Sequence, residues 1–404
     1  MKSSFAHRLK VTAFAISAAA FAPAMFAQLN VPYADGSDGA LIVSNTTTID
    51  LSQAVAGNWT NNNTANSGKG IYDSNQWAVV FKYSSVVISN GATLSFSNHP
   101  THAPVVWLVS NNVAINGTLN LDGKAGTSSQ VLLAEPGPGG FRGGGAPTAL
   151  YGPGPGFGPG GANPTSQGHY SGVYGNQQLI PLIGGSGGSG LANTGLGGSG
   201  GGGAILIATM GAITNNGYIH ANGGADPGHS PYGSGGGIRL VASQIAGSGT
   251  IEAISVYDAS AIGIIRLEAT NVSPNLTISP YIQGVAPSNA PTIFPTAPAS
   301  VTISSISNQT VNVSAPADPK AVMSADAGAD DFTLVTTNTV TIRLRTQNFP
   351  TNGTVTVFIR PRNGPQSSPG ATCIGGDFNS ADWQVGNVTV PVSIHTIIQA
   401  RAAY

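Results

Sequence analysis

Four stretches of this chain read alike, and their repetition limits the fold more than any other feature. They are WLVSNNVAINGTLNLDG from Trp107, ILIATMGAITNNGYIHANGG from Ile205, IRLVASQIAGSGTIEAIS from Ile238 and IRLEATNVSPNLTISP from Ile265. Each runs apolar-x-apolar, a small or polar step, an apolar residue, a turn, then apolar-x-apolar again. VVISNGATLSFS from Val86 carries the second half of the plan. Written as a ladder, the second strand gives Leu94 and Phe96, Leu119 and Leu121, Ile219 and Ala221, Ile251 and Ala253, Leu276 and Ile278, at steps of 25, 100, 32 and 25 residues. Short strands at such periods suit coils in which each strand pairs in parallel with its counterpart one turn away, about 4.8 Å distant. The expected class is all-β, a right-handed parallel β-helix (solenoid) over 85–283, capped at its start by strands in 28–84. The hand follows from the general chirality of parallel crossovers.

Asn90-Gly91, Asn116-Gly117 and Asn216-Gly217 sit directly before the second strand, where a corner with positive φ takes Gly or Asn. The glycines turn the chain, and the Ile and Leu residues between them fill a narrow core. No single coil buries its apolar face alone, so stability comes from neighbour stacking, at roughly 25 cal/mol for each Å² of apolar surface removed from water. Outward positions read Trp107, Leu206, Arg239 and Arg266 on one face, where Leu206 calls for a cover. On a second, solvated face they read Ser95, Asn120, His220, Glu252 and Thr277.

The 100-residue step marks an insertion at about 125–203. Residues 136–203 hold 27 of the 56 glycines, one Arg (Arg142) and no Asp, Glu or Lys. The strict third-residue glycine of collagen is missing, so the expectation is a polyglycine-II-like array of extended segments packed on the solenoid flank. VLL at Val131 and LIPLI at Leu179 supply its anchors. A Pro-rich linker at 284–300 follows, then strand-like runs over 301–404 that suggest an immunoglobulin-like β-sandwich without its disulfide. In TVTIRLRT, Val340, Ile342 and Leu344 alternate with Thr341, Arg343 and Arg345. With 56 Gly and 27 Pro in 404 residues, long helices are excluded on propensity.

Residues 1–27 have the layout of a secretory signal: Lys2, Arg8 and Lys10, then an apolar stretch from Val11 to Ala22, with cleavage sites after Ala24 or Ala27. Its apolar core is too short to span a bilayer, and no later stretch is long enough. The reading is a secreted, extracellular or cell-surface protein. Removing the signal leaves a mature charge of about −4, a poor surface for nucleic acid. The single cysteine, Cys373, forms no internal disulfide and reads as a buried small hydrophobe.

The run GGGGAILIAT, NNGYIHANGG and GSGGGIRLVASQIAGSGTIEA resembles secreted bacterial proteins that combine a parallel β-helix with glycine-rich insertions, often with sandwich modules at the C-terminus. The resemblance covers about 85–280. It implies a surface, adhesive or matrix role and transfers no catalytic motif.

An enzyme of the β-helix type, a polysaccharide lyase or glycoside hydrolase, needs converging acids or a metal with a basic residue. Acids in the solenoid and insert are few: Asp122, Glu135, Asp226, Glu252, Asp258 and Glu268. Arg239 with Glu252 or Glu268 reads as surface ion pairing. Serine-elbow matches at Ser186 and Ser199 lack strand-turn-helix context. His99 and His102 in NHPTH read as a loop, since a metal needs further ligands. Asp35 and Asp38 in YADGSDG are the candidate calcium ligands, in a turn that offers two carboxylates. Tyr151, Phe157, His169, Tyr170, Tyr174, Tyr218 and Tyr232 are the candidate platform for stacking on sugars. The leading reading is non-catalytic adhesion or glycan contact with a polysaccharide or cell-envelope surface. A self-associating fibre or sheath subunit and the carbohydrate-active enzyme are the alternatives.

Overall fold

The structure, a computed structural model, describes residues 28–128, 133–149, 152–164, 177–224, 231–255, 261–280, 284–294, 299–307, 309–310, 339–361, 364–391 and 396–403. The described chain is all-β, with only two short 3₁₀ turns beside its strands.

Three sheets organise residues 39–279. Sheet A orders Gly39–Val43, Tyr83–Ile88, Val113–Ile115, Ala212–Asn215, Gln244–Ala246 and Asn271–Val272, all parallel. Sheet B orders Thr47–Asp50, Thr93–Ser97, Thr118–Asn120, Tyr218–His220, Thr250–Glu252 and Thr277–Ser279, also parallel. Sheet C runs from Val55–Ala56 through Ile71–Asp73, Ala78–Phe81, Val105–Val109, Ala204–Thr209 and Gly237–Val241 to Ile264–Glu268. It is parallel except between Ile71–Asp73 and Ala78–Phe81. From Ala78 onward the chain visits the sheets in the fixed order C, A, B, starting afresh at Val105, Ala204, Gly237 and Ile264.

Register shows why the repeat reads as it does. Leu94, Leu119, Ile219 and Ile251 stand in line across sheet B. The next partner of Ile251 is Ile278, not Leu276. The slip is two residues, so the strand keeps its face while Leu276 moves to a partly buried place beside the core. Inward side chains of all three sheets, such as Ile213, Ile219 and Ile205, share one buried cluster.

Trp107 belongs to that cluster and pairs with Ile207, so it points inward. Val106 takes the outward place in line with Leu206 and Arg239. Alternation has no phase in VVWLV because that strand is buried on both faces. Leu206 does have its cover: Leu29, Val31, Leu179, Leu182 and Ile293 pack with it over the outer side of sheet C.

Only one of the three Asn-Gly corners works through positive φ. Gly91 has φ 79° and open space around it, whereas Gly117 and Gly217 are absent from the left-handed region. A Cβ at Gly217 would stand 1.9 Å from the Gly117 carbonyl oxygen, so close approach of neighbouring chain sets the glycine there.

The glycine-rich insertion is held by lateral backbone hydrogen bonds. Along 197–203, the amides of Gly198 and Gly201 donate to Gly144 and Phe141, those of Ser199 and Gly202 to Pro231 and Ser234, and those of Gly197, Gly200 and Gly203 to Thr127, Lys124 and Leu121. Each neighbour is met at every third residue. That period of three is the repeat of extended polyproline-type chain, which has no internal hydrogen bonds and turns every amide outward.

Among the described residues of 300–403 the strands are antiparallel, in the order Gln309–Thr310, Ser300–Ile306, Val340–Gln347, Ser380–Val388, Gly370–Gly376, Thr354–Pro361 and Thr396–Ala403. Val340, Ile342 and Leu344 are buried and Arg343 and Arg345 exposed, as the alternation predicts. Ser380–Val388 alternates in the same way, with Ala381, Trp383 and Val385 buried and Ser380 and Asp382 exposed, while Gly370–Gly376 is largely exposed. Cys373 is half-buried rather than enclosed.

Candidate functional site: a polar cleft beside sheet B

The outward row of sheet B includes Ser95, Asn120, His220 and Glu252. Beside Ser95 and Asn120 the surface opens into a cleft of about 400 Å³, where residues from distant parts of the chain meet. Ser95, Ser97 and Asn98 come from the strand Thr93–Ser97 and its exit, His99 and His102 from the following turn, and Asp122 and Lys124 from the chain leaving Asn120. Glu135 and Arg142 come from the insertion.

The turn is fixed before it contributes. His102 has φ 51° and its amide donates to the His99 carbonyl at 2.8 Å. The Gly139 amide donates to the His102 carbonyl at 2.7 Å, which ties the turn to the insertion. His99 stacks on Tyr72 with centroids 4.0 Å apart, and Trp77 Nε1 donates to the Thr101 carbonyl at 2.9 Å. A positive φ at a non-glycine residue costs free energy, and these contacts hold it.

Glu135 is the electrostatic centre. Its Oε1 accepts from Nε of buried Arg142 at 2.9 Å and from a second guanidinium nitrogen. Its Oε2 lies 3.2 Å from His102 Nε2 and accepts from Asn98 Nδ2 at 3.4 Å. Burial alone would raise the carboxyl's pKa, but the His102 hydrogen bond and the Arg142 charge prevail and hold it at about 2. A group so acidic stays ionised near neutral pH, donates no proton, and is a weak base.

Asp122 is equally engaged, accepting from the Asn222 amide at 2.6 Å and lying 2.8 Å from His220 Nδ1. This pairing orients the imidazole, with Nδ1–H toward the carboxylate and Nε2 turned away.

The other sequence-selected residues lie elsewhere. Phe157 is fully enclosed and Tyr232 is 6% exposed, so neither presents a ring face to a sugar. Phe157 belongs to the main buried cluster, together with Phe141 and Leu133 of the same insertion. Tyr218 is exposed. Tyr151, His169, Tyr170 and Tyr174 lie outside the described residues.

Asp38 is buried, and its carboxylate accepts from Asn63 Nδ2, the Gly68 amide and the Lys82 amide. Asp35 accepts from the Ser37 amide and Asn62 and stands 3.7 Å from the Lys82 ammonium. With donors and a cation on these oxygens, the pair is built as an internal network and does not fit calcium, which needs six to eight free oxygen ligands. Among the described residues no cluster of three or more His, Cys, Asp or Glu side chains suits a metal.

Arg239 pairs with Glu268 at 2.8 Å, both buried, and Arg266 joins the same oxygen. Glu252 is on another sheet, hydrogen-bonded by Asn222 at 3.4 Å.

The cleft went unseen in the sequence because its parts have no local spacing. His102, Asp122, Glu135 and Arg142 are joined only by the way the start of the insertion folds back over the turn that follows Thr93–Ser97. The one available signal was Arg142, the single charge in a long neutral tract. No helix among the described residues is long and apolar enough to cross a membrane. No protein-family model, curated protein or solved structure matches this chain, so its chemistry rests on its own residues.

Proposed function

We propose that this is a non-catalytic, secreted or cell-surface protein that contacts glycans through the cleft beside sheet B. In this reading sheets A, B and C are the three faces of a parallel β-helix, visited in turn by each coil. The insertion is a polyglycine-II-like appendage and the C-terminal strands are an immunoglobulin-like β-sandwich. The signal-like segment 1–27 supports export.

The observation that carries the reading is the state of the acids. The hydroxyls of Ser95 and Ser97 and the amide of Asn120 line the cleft, which suits sugar hydroxyls. Its two carboxylates are already taken up by Arg142, His102, His220 and Asn222. Glycosidic cleavage by paired acids needs one carboxyl protonated near neutral pH, and Glu135 with a pKa of about 2 is far from that. The arrangement favours holding over turnover.

The test pairs a glycan array on the purified chain with reducing-sugar and unsaturated-product assays on the glycans that bind. Binding without product supports the reading. Product release points to the enzyme, and a blank array removes glycan contact.

A second reading, an end-to-end fibre, draws on one observation. Gly39–Val43, Thr47–Asp50 and Val55–Ala56 are the terminal strands of their sheets, the position at which a further strand would pair. Electron microscopy at rising concentration separates it.

A further inference from the structure

We infer that Asn90 is a site of spontaneous deamidation, singled out by the fold from the Asn-Gly pairs of the chain. Those pairs are Asn90-Gly91, Asn116-Gly117, Asn216-Gly217, Asn222-Gly223, Asn352-Gly353 and Asn363-Gly364. In sequence all offer the same chemistry. The backbone nitrogen of the glycine, once a base in the solvent has taken its proton, attacks Cγ of the asparagine. A cyclic imide closes, the bond from Cγ to the side-chain nitrogen breaks, and ammonia leaves. Water then opens the ring at either carbonyl, which gives aspartate or the isomer whose backbone runs through the side chain. The attack is intramolecular and glycine has no Cβ to obstruct it, so the freedom of the glycine amide and of the asparagine side chain decides the rate.

Elsewhere that freedom is removed. The Gly117 amide donates to the Ile88 carbonyl at 3.2 Å, Gly217 to Ile115 at 3.0 Å and Gly223 to Ile254 at 2.9 Å, each on a neighbouring coil. Gly353 donates to Pro350 at 3.0 Å and Gly364 to Pro153 at 3.2 Å. Side chains are held as well: Asn216 Nδ2 donates to Asn116 Oδ1 at 3.0 Å, and Asn222 Oδ1 accepts from the Ile254 amide at 2.9 Å. A bonded amide reacts only from the fraction of molecules in which its bond has opened.

Asn90 and Gly91 differ. Asn90 is exposed, and among the described residues neither its side chain nor the Gly91 amide makes a hydrogen bond. The cause is the length of the corner. Two residues join Val113–Ile115 to Thr118–Asn120, and two join Ala212–Asn215 to Tyr218–His220, but four join Tyr83–Ile88 to Thr93–Ser97. The next coil rests on the two ends of this longer corner. The Thr118 amide donates to the Ala92 carbonyl at 2.9 Å, and a Cβ at Gly117 would stand 2.2 Å and 2.3 Å from the carbonyl oxygens of Ala92 and Ser89. The Ala92 amide closes the turn onto the Ser89 carbonyl at 3.0 Å, which leaves Asn90 and Gly91 at its tip. A Cβ built at Gly91 meets nothing within 4 Å. Because the contacts between coils run through Ser89 and Ala92, the reaction adds a negative charge to the corner without breaking them.

The experiment is a timed incubation of the full chain in mildly alkaline buffer made with ¹⁸O-labelled water, followed by digestion in ordinary water and peptide mapping by mass spectrometry. The label marks conversion during the incubation and separates it from conversion during digestion. In the folded chain Asn90 should take up label, as aspartate and its isomer, about tenfold or more faster than Asn116, Asn216 and Asn222, and faster than Asn352. In guanidinium chloride the rates should converge, since the sequence context is shared. Asn90→Gln should remove the signal at that position and leave the others as they were. Equal or faster conversion at Asn116, Asn216 or Asn222 in the folded chain overturns the inference. So does a rate at Asn90 that unfolding raises as much as theirs.

Discussion

Arg360 and Gly156 lie 204 residues apart, and the guanidinium of the first donates to the carbonyl of the second. The contact joins the strand Thr354–Pro361 to the glycine-rich insertion. A second bond, from the Gly364 amide to the Pro153 carbonyl at 3.2 Å, runs beside it. Gly161 makes the room, since a Cβ there would stand 2.0 Å from an Arg360 nitrogen. Burial, together with nearby Arg401, lowers the guanidinium's pKa to about 10, which leaves it charged at neutral pH.

Arg360→Ala is expected to cost about 2 kcal/mol, because a buried carbonyl loses a charged donor and an enclosed side chain leaves a void. Thermal unfolding measures the loss. Limited proteolysis should show earlier cutting within 152–164 in the variant. Unchanged melting and cutting would show that the contact joins nothing of consequence.

The insertion makes a sharper steric prediction. A Cβ at Gly201 would lie 2.0 Å from the Gly185 carbonyl oxygen, in the middle of the threefold hydrogen-bonded array. Gly201→Ala should therefore destabilise by about 1–3 kcal/mol, the range for overpacking. Gly152→Ala meets nothing within 4 Å and has no positive φ, so it should be neutral or stabilise by up to about 1 kcal/mol. Denaturant unfolding of the two variants decides the matter. Equal effects would sink the packed array.

These two glycines also show what a sequence conveys. Both read as loop punctuation, and only neighbours supplied by other segments tell them apart. The apolar ladder was legible because Leu119, Ile219 and Ile251 each carry a period of two inside their own strand, and stacking merely repeats it. Where alternation lacked phase, as at Trp107, or allowed a two-residue slip, as at Leu276, the reading drifted without changing the class. The cleft was illegible for a different reason. Glu135 and His102 stand 33 positions apart, and neither belongs to a strand whose pattern predicts the other.

For Asp35 and Asp38 the prediction concerns metal. Since Asn63, Gly68, Ser37 and Lys82 already serve these oxygens, calcium gains no vacant ligand set. Millimolar calcium, or its removal by chelator, should leave the melting temperature unchanged. A rise with calcium that Asp38→Asn abolishes would show a site formed by rearrangement of this network.

Acid should lower the stability of the fold through the carboxylates that are held ionised inside it. Glu135 has its pKa lowered from 4.5 to about 2, and Glu268 is lowered as well, against burial, by Arg239 and Arg266. A carboxyl depressed in the folded state contributes stability that is fully present above its unfolded pKa. That contribution falls away as pH drops toward the folded value, because the unfolded chain takes up the proton first. For Glu135 the window runs from 4.5 down to about 2. Glu135→Gln keeps the shape and removes the ionisation, leaving Arg142 buried without its counter-charge. The variant should be less stable than the wild type near neutral pH, and the gap should close as the wild type is acidified through that window. Denaturant unfolding at several pH values measures both slopes. A gap that stays constant across the window would mean that the Glu135 charge contributes nothing to holding the insertion against sheet B.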